Sequence, residues 1–247
     1  MAKYVGLSVL HPGGFFSTNK LLDSFNLDKD KKVLDIACGK GTTSILVAKK
    51  FGCKVVGIDI SPVLIEEAKR LARRNKVDKL IDFQVADATR LPFNDNEFDA
   101  SIAQAMLVLI DDKETAIREA LRIIKPSGQA GWIELTWQQT PSELFMQQVS
   151  DVICAYCMLN VMLLDGWKNL FIKSGASNLK TDVYPMHFNG FLGMIKNEGF
   201  INSVRVIGKY ITDKKVRTRM TRMDRFFKQN EDIFGYGIYT MNKTNAA

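Results

Sequence analysis

The sequence predicts an α/β protein whose mostly parallel sheet carries helices on both faces. Three observations support this fold class. Short apolar segments alternate with amphipathic helical segments, a glycine-rich turn joins the first apolar segment to the first helix, and three of the apolar segments end on an aspartate. Ligands of such sheets bind at the carboxyl ends of the strands, so the aspartates fall where a binding site is expected.

The glycine-rich turn indicates a nucleoside-binding unit. It contains Gly39 and Gly41, and glycine at such positions lets the backbone approach a ligand closely. Asp59 ends the second predicted strand, 20 residues after Gly39. A carboxylate in that place can accept hydrogen bonds from both hydroxyls of a ribose. The spacing therefore favours a ligand that contains a nucleoside.

A nicotinamide or flavin dinucleotide is the first such ligand to consider. The dinucleotide pattern GxGxxG needs a third glycine, and Ser44 occupies that position here. A dinucleotide also places its pyrophosphate at the helix N-terminus, which the nearby carboxylate of Asp35 disfavours. The same carboxylate suits an ammonium group. S-adenosylmethionine (SAM) has an ammonium group and no phosphate, so the turn favours SAM.

A third strand extends the pattern. The segment 83–88 ends on Asp87 and Ala88 and is followed by the run 91–99. From about Lys32 to Glu134 the chain resembles the class I SAM-dependent methyltransferases, especially the small-molecule branch that includes the ubiquinone and menaquinone-type enzymes. The resemblance implies a Rossmann-like sheet, mostly parallel with an antiparallel last strand. It also implies SAM as the cofactor and S-adenosylhomocysteine as its product.

The resemblance assigns residues to the cofactor. It implies that the glycine turn lines the methionine end, that Asp59 holds the ribose, and that Ile60, Asp87 and Ala88 contact the adenine. The full set of implied cofactor-binding residues is Asp35, Ala37, Cys38, Gly39, Gly41, Asp59, Ile60, Asp87, Ala88 and Gln104. The family usually has glycine where this chain has Ala37, and alanine is the mildest departure from that pattern.

Apolar spacing, caps and glycine stops predict the other elements of the core. Ser61 before Pro62 marks a helix start, and Gly52 marks a helix end. The predicted helices are 42–51, 62 to about 75 and 113–124. The first predicted strand ends at residue 37. The other four predicted strands are 54–60, 82–86, 98–103 and 129–135. Their alternation places the strands side by side in a parallel sheet.

Segments on both sides of this core are predicted to shape the acceptor site. We divide the chain into an N-terminal lid segment (1–31), the SAM-binding core (32–140) and a C-terminal helical insertion with closing strands (141–247). The lid contains an amphipathic helix that starts at Ser17 or Thr18. A long helix is predicted over 141–164. The segments 179–186 and 201–207 compete for the sixth strand, and 234–241 is the closing antiparallel strand.

The composition is that of an ordinary soluble globular protein. The chain has 247 residues, of which 46% are hydrophobic and 25% charged. No apolar run reaches the roughly 18 residues of a membrane span, and no signal segment is evident, so we expect a cytoplasmic protein. Cys154 and Cys157 have the spacing of a metal or redox pair, but their apolar helical context favours buried side chains and no metal site.

The positive charge is concentrated in one segment. Between His187 and Asn230 there are ten Lys or Arg against three acids, 10 − 3 = +7, which equals the net charge of the whole chain. Within it, 212–229 is predicted to form an amphipathic helix with a basic outer face. This face is either a solvated surface, a contact with an anionic membrane, or an attraction for an acidic substrate. A nucleic-acid contact is the least favoured alternative.

The acceptor is predicted to be a small molecule, with a preference for an apolar or membrane-associated one. After the fourth strand the chain lacks the (N/D)PPY segment of enzymes that methylate nucleic-acid bases. His11, in a Pro-Gly-Gly turn, is the candidate base or acceptor-orienting residue. The candidates for the acceptor pocket are Tyr4, Met106, Leu109, Glu134, Trp137, Tyr156 and His187. Two alternatives stay open: a non-catalytic SAM-binding sensor or assembly protein, and an RNA methyltransferase.

Overall fold

A computed structural model of the chain describes residues 11–149, 160–186 and 200–244. The helices in this part of the chain are α1 (Gly14–Asp23), α2 (Thr42–Phe51), α3 (Pro62–Arg74), α4 (Lys113–Arg122), α5 (Glu143–Val149), α6 (Leu164–Lys173), α7 (Phe200–Thr212) and α8 (Lys214–Gln229). The strands are β1 (Lys32–Ile36), β2 (Lys54–Asp59), β3 (Ile81–Val85), β4 (Phe98–Gln104), β5 (Ile124–Trp137), β6 (Met162–Leu163), β7 (Ala176–Pro185) and β8 (Phe234–Lys243). A short 3₁₀ helix, Leu107–Leu109, follows β4.

The strands form one sheet in the order β3-β2-β1-β4-β5-β8-β7, and β6 pairs with the end of β5. The first five strands of that order are parallel, and β8 is antiparallel to both of its neighbours. The predicted fold class is therefore confirmed, including the antiparallel closing strand. The strand order reverses between β1 and β4, which places a ligand crevice at the carboxyl ends of these two strands.

Two hydrophobic clusters cover the two faces of the sheet. One contains α4 and α6 with Trp132 and Phe171. The other contains α1, α2 and α3 with Leu21 and Phe83. Both clusters are fully apolar at their centres, so burial on both faces stabilises a sheet whose strands are nearly continuous hydrophobic runs.

Helix α1 begins at Gly14, three residues before the predicted start at Ser17. Gly13 takes the left-handed conformation with φ 74° and begins the helix without a side-chain cap. The hydroxyl of Ser17 donates to the carbonyl of Pro12 at 2.6 Å instead of capping a helix N-terminus. Hydroxyl residues in the first turn thus misled the prediction, because their side chains bond back to carbonyl groups.

The C-terminal third differs from the sequence prediction in two places. Of the two segments predicted to compete for one strand, 179–186 corresponds to β7. Residues 201–207 lie in helix α7. The apolar residues at 200, 204, 207 and 211 have helical spacing, which explains this outcome. The predicted helix 141–164 is wrong at its end, because β6 and the start of α6 lie there.

Helices α7 and α8 form a basic hairpin that we define as residues 200–230. Asp213 caps α8 through bonds from the backbone N–H groups of Lys215 and Val216. Phe226 and Phe227 of α8 are buried in the hydrophobic cluster that contains Trp132 and Phe171. Val204 and Ile211 of α7 are 51% and 65% exposed. Within the described ranges no helix combines the length and apolarity needed to cross a membrane.

The division of the chain at residues 31 and 140 stays a prediction. Strands β7 and β8 of the third segment belong to the same sheet as the core strands. Gly13 in the first segment lies so close to the Tyr236 hydroxyl on β8 that an added Cβ would be 2.5 Å from it. The N-terminal helix therefore starts against the last strand of the sheet.

Candidate active site

The carboxyl end of β1 holds a buried acid. Asp35 is 3% exposed, and the hydroxyl of Ser44 on α2 donates to its Oδ2 at 2.5 Å. Burial raises the pKa of Asp35 to about 7, with a smaller opposing effect from the Ser44 hydrogen bonds. A cationic group bound nearby would favour the ionised form, so this carboxyl is suited to an ammonium ligand.

Asp59 connects the end of β2 to the glycine turn. Its Oδ2 accepts a hydrogen bond from the Gly39 N–H at 2.9 Å, and its Oδ1 accepts one from the Ser61 N–H at 2.9 Å. Each carboxylate oxygen has a second lone pair for a ligand hydroxyl. The two backbone bonds hold the side chain in one orientation, which prepares it for a pair of ribose hydroxyls.

The two glycines of the turn do different things. A Cβ added to Gly39 would meet no atom within 4 Å, so the turn is open toward the crevice at this residue. A Cβ added to Gly41 would be 2.5 Å from the Phe83 ring, so Gly41 allows α2 to pack against β3. Both glycines have positive φ values, and so does Ala37 at φ 55°. Alanine is strained in that conformation, which explains why glycine is usual there.

The ends of β2 and β3 present apolar surface. Ile60 is 73% exposed and Val85 is 52% exposed, which is unusual for large aliphatic side chains. Asp87 is exposed, and its Oδ1 accepts hydrogen bonds from the backbone N–H and the hydroxyl of Thr89, both at 2.8 Å. The ends of β2 and β3 therefore combine exposed aliphatic side chains with an exposed carboxylate.

Gln104, at the end of β4, is the centre of a hydrogen-bonded group that includes the N-terminal helix. Its amide lies 3.4 Å from the hydroxyl of Thr18 on α1 and 3.4 Å from that of Thr43 on α2. The other amide atom, Nε2, is buried and has no hydrogen-bond partner among the described residues. A buried polar atom without a partner is costly, and a bound ligand would satisfy it.

His11 is tied into the same group. Its Nδ1 lies 3.2 Å from the carbonyl oxygen of Pro12, and its Nε2 lies 3.0 Å from the Thr18 hydroxyl. Burial lowers the pKa of His11 to about 4, so the ring is neutral near pH 7. Both ring nitrogens thus have protein partners, an arrangement that orients the neighbouring Thr18 more readily than it removes a proton from an acceptor.

Glu134 lies on the opposite face of the sheet from Gln104. It is fully buried, and its Oε1 accepts from the backbone N–H groups of Met106 and Leu107 at 3.0 and 2.9 Å. Its Oε2 has no partner among the described residues. Burial raises the pKa of Glu134 to about 8. The side chain holds the turn after β4 in place.

Among the other acceptor-pocket candidates, the described residues differ in exposure. Met106 and Trp137 are 3% and 4% exposed, and the Trp137 ring packs edge-on against Phe145 and Phe234. Leu109 is 49% exposed. Leu109 is therefore the exposed member of this group, whereas Met106 and Trp137 are buried.

Several candidates lie outside the described residues. These are Tyr4, Tyr156, His187, Cys154 and Cys157. Cys38 is buried, and burial raises the pKa of its thiol well above the ordinary range. The described ranges contain no cluster of three or more histidine, cysteine or acidic side chains that could hold a metal ion.

Sequence reasoning missed three hydroxyl residues of the site. Thr18, Thr43 and Ser44 position the side chains of Gln104 and Asp35. Thr43 and Ser44 lie in the first turn of the helix that follows the glycine turn, where side chains point back toward the strand ends. That placement is a usable signal. Thr18 is distant in sequence, and no pattern connects it to Gln104.

Comparisons with known proteins find methyltransferases among similar sequences and similar folds. A family profile described as "Methyltransferase domain" matches residues 33–128. An uncharacterised protein of Haemophilus influenzae is 31% identical over 92% of this chain and 90% of that protein. A maize phosphoethanolamine N-methyltransferase is 27% identical over 90% of this chain, which spans 38% of that enzyme.

A solved structure shows the same fold over nearly the full length. It is that of a Haemonchus contortus phosphoethanolamine N-methyltransferase in complex with S-adenosyl-L-methionine. Its TM-score is 0.78 at 20% identity, covering 99% of this chain and 56% of that one. The chain spans between 25% and 60% of the length of seven curated relatives that are named as methyltransferases.

Proposed function

The chain belongs to the class I SAM-dependent methyltransferase family, and we propose that it transfers a methyl group from SAM to a small-molecule acceptor. The observation that carries the proposal is the pairing of two acids at neighbouring strand ends. Asp35 lies buried beside the glycine turn, and Asp59 is held by backbone N–H groups on both oxygens.

The residues at the crevice fit SAM. The open space at Gly39 leaves room for a ligand against the turn. Asp59 would hold the ribose hydroxyls, Asp35 would stabilise the ammonium group, and the exposed side chains of Ile60 and Val85 would cover the adenine. Gln104 supplies a buried polar atom that has no hydrogen-bond partner within the described part of the chain. The ammonium group and the ribose hydroxyls of SAM therefore each have a matching carboxylate in this crevice.

SAM supplies a methyl group that is already activated by the positive sulfonium charge. The protein consequently needs to align the acceptor with that methyl group and to keep water out. His11 lies in the turn before α1 and Thr18 lies in α1, and hydrogen-bond contacts connect both to Gln104 at the end of β4. We assign His11 an orienting role, because both of its ring nitrogens are engaged.

The nature of the acceptor follows from the crevice and from relatives. The maize relative and the Haemonchus contortus protein of similar fold are phosphoethanolamine N-methyltransferases by name. In this chain Leu109 offers exposed apolar surface beside the buried Met106. The acceptor class that fits is a small molecule with an apolar part.

The activity is tested with purified protein, labelled SAM and extracts of small metabolites and lipids. We expect label to appear in a small product with equal release of S-adenosylhomocysteine. Binding of SAM without product from any extract would favour a non-catalytic SAM-binding protein. Label in RNA alone would contradict the small-molecule acceptor.

The basic hairpin is proposed to contact an anionic membrane surface. Its outer face carries Arg219, Arg222 and Arg225, all exposed, and the neighbouring helix exposes Val204 and Ile211. Lys228 is paired with Asp224 at 2.9 Å, but no acid in the described ranges forms a salt bridge with the three arginines. Clustered cations beside exposed aliphatic groups suit an anionic lipid surface.

This contact is tested by vesicle flotation with phosphatidylserine-containing and neutral vesicles. Reversing Arg219, Arg222 and Arg225 to Glu should reduce binding to anionic vesicles by about 100-fold, since each basic residue contributes about 1 kcal/mol. The matched control reverses the exposed Arg73, Arg74 and Lys79, which gives the same change in net charge on another surface. Equal loss in both variants would mean that only net charge matters.

A further inference from the structure

We propose that Gln104 is a specificity-determining residue whose amide oxygen, rather than its nitrogen, faces the bound ligand. Thr18 and His11 are the positioning residues that set this orientation. The proposal rests on the proposed function, because it places Gln104 at the crevice for SAM and acceptor. It adds a requirement on the ligand: a hydrogen-bond donor at this position.

The argument begins with the single proton of the Thr18 hydroxyl. Three acceptors lie within reach of it: Nε2 of His11 at 3.0 Å, the carbonyl oxygen of Gly14 at 3.2 Å, and the Gln104 amide at 3.4 Å. A hydroxyl donates only one hydrogen bond. The amide is the most distant of the three partners, so the Thr18 proton belongs to one of the other two.

The His11 ring favours the same assignment. The Pro12 carbonyl oxygen, 3.2 Å from Nδ1, requires a proton on that nitrogen. In the neutral ring Nε2 is then an acceptor without a proton. The Thr18 hydroxyl is the donor that satisfies it at 3.0 Å. With its proton directed at His11, Thr18 offers only lone pairs to Gln104.

The amide group nearest Thr18 must therefore be the NH₂ group. It has two hydrogens, and two hydroxyl oxygens, those of Thr18 and Thr43, lie at the same distance of 3.4 Å. That separation is long for an O–H···O bond and closer to the N–H···O range. The nitrogen and oxygen of an amide are assigned from such networks, so the proton count decides between them.

The turned amide leaves its carbonyl oxygen at the buried position that has no partner among the described residues. An unpaired buried acceptor selects for a ligand with an N–H, ammonium or hydroxyl donor at this point and disfavours one without it. The donor is either the amino group of the cofactor or a polar group of the acceptor. Both share this chemistry, and binding measurements separate them.

The orientation is measured by NMR on the ligand-free protein with labelled Thr methyl groups. We expect nuclear Overhauser contacts between the Gln104 NH₂ protons and the methyl groups of Thr18 and Thr43. Gln104→Leu assigns the signals by their loss. Absence of these contacts overturns the proposal, whether or not the protein transfers methyl groups.

The effect on ligands is measured by calorimetry and by turnover. If the cofactor provides the donor, Gln104→Leu should lower the affinity for S-adenosylhomocysteine about tenfold. The affinity for methylthioadenosine, which lacks the amino acid part, should stay unchanged. If the acceptor provides it, the variant raises KM for the acceptor identified from the labelled product and leaves S-adenosylhomocysteine affinity unchanged. No change in either measurement overturns the proposal.

Thr18 supplies the test of positioning. Thr18→Val removes the hydroxyl at nearly constant volume and should reproduce most of the Gln104→Leu effect, while Thr18→Ser restores the hydroxyl and the affinity. A purely structural role of Thr18 would lower the melting temperature of the ligand-free Val variant without this ligand selectivity. Failure of the wild type to bind S-adenosylhomocysteine would instead refute the proposed function.

Discussion

The glycine-turn edge of the sheet and the basic hairpin are built on opposite principles. At the edge, Asp35 and Asp59 are at most 9% exposed, and each is held by a hydroxyl or by backbone N–H groups. In the hairpin, the basic residues of α8 are exposed, and Lys228 is paired with Asp224. One region is preorganised around buried carboxyl groups, and the other presents exposed cations to solvent.

This difference separates two tasks of the protein. A preorganised site binds one ligand with little loss of side-chain freedom. Exposed cations attract many anionic partners over a Debye length and give little geometric discrimination. We therefore expect substitutions at the edge to change ligand affinity steeply and locally, and substitutions in the hairpin to change association with charged surfaces in a salt-dependent way.

Asp59→Ala provides the largest expected effect at the edge. It removes the acceptor for the ribose hydroxyls and the partner of the Gly39 and Ser61 N–H groups. Affinity for S-adenosylhomocysteine should fall by about 100-fold or more, because two charge-assisted hydrogen bonds are lost. Calorimetry measures this change, with the exposed Asp78→Ala as the control. An unchanged dissociation constant would refute the assignment of Asp59.

Substitutions of the two glycines of the turn should have different effects, one mainly on stability and the other mainly on ligand affinity. Gly41→Ala introduces a clash with Phe83 at φ 74°, and should lower the free energy of unfolding by about 3 kcal/mol. Gly39→Ala meets open space, so it should cost only about 1 to 2 kcal/mol of backbone strain. The methyl group of the new alanine would enter the crevice and lower the affinity for S-adenosylhomocysteine.

Denaturant unfolding and calorimetry on both glycine variants measure these two effects separately. Equal losses of stability and equal losses of affinity would show that the turn acts as one unit. They would contradict the division into a ligand glycine and a packing glycine.

Glu134→Gln tests a buried carboxyl for its effect on stability. The pKa is about 8 in the folded protein against an ordinary 4.5, so the unfolded chain releases the proton first as the pH rises. Glu134 therefore lowers the stability progressively between about pH 5 and pH 8. The free energy of unfolding of the uncharged Gln variant, relative to that of the wild type, should rise by about 1 kcal/mol or more over this range.

Thermal unfolding of wild type and Glu134→Gln at pH 5 and pH 8 measures this difference. Glu143→Gln, at an exposed helix start, is the control. A stability difference between wild type and Glu134→Gln that does not change with pH would contradict the raised pKa.

Ala37→Gly should have the smallest effect. At φ 55° alanine carries about 1 kcal/mol of strain that glycine lacks, and the greater freedom of glycine in the unfolded chain offsets part of this gain. We expect a rise in melting temperature of a few degrees at most. Ala105→Gly, at φ 52° after β4, should behave alike. A clear loss of stability would show that Ala37 makes packing contacts that outweigh its strain.

The core of the fold was predictable because local signals and packing agree there. The helix Thr42–Phe51 forms with the predicted bounds, ended by Gly52 in the left-handed conformation. Pro62 begins α3 after the Ser61 cap, as predicted. In the C-terminal third local signals compete. Residues 201–207 are apolar enough for a strand, and helical spacing decides the outcome.

The candidate site was predictable to the extent that it depends on strand ends. Asp35 and Asp59 lie at the crevice because the carboxyl ends of parallel strands meet at one edge. Thr18 could not be predicted as a partner of Gln104, because the contact depends on how α1 packs across the sheet. The burial of Glu134 was equally hidden, since an acid at a strand end ordinarily faces solvent.

The seat of α1 against Tyr236 links the start of the chain to its end. Gly13 meets the Tyr236 hydroxyl on β8, and Leu21 meets Gly131 on β5. During translation, β8 leaves the ribosome long after α1 and the glycine turn. Helix α1 therefore gains its contact with Tyr236 only after the last strand has been synthesised.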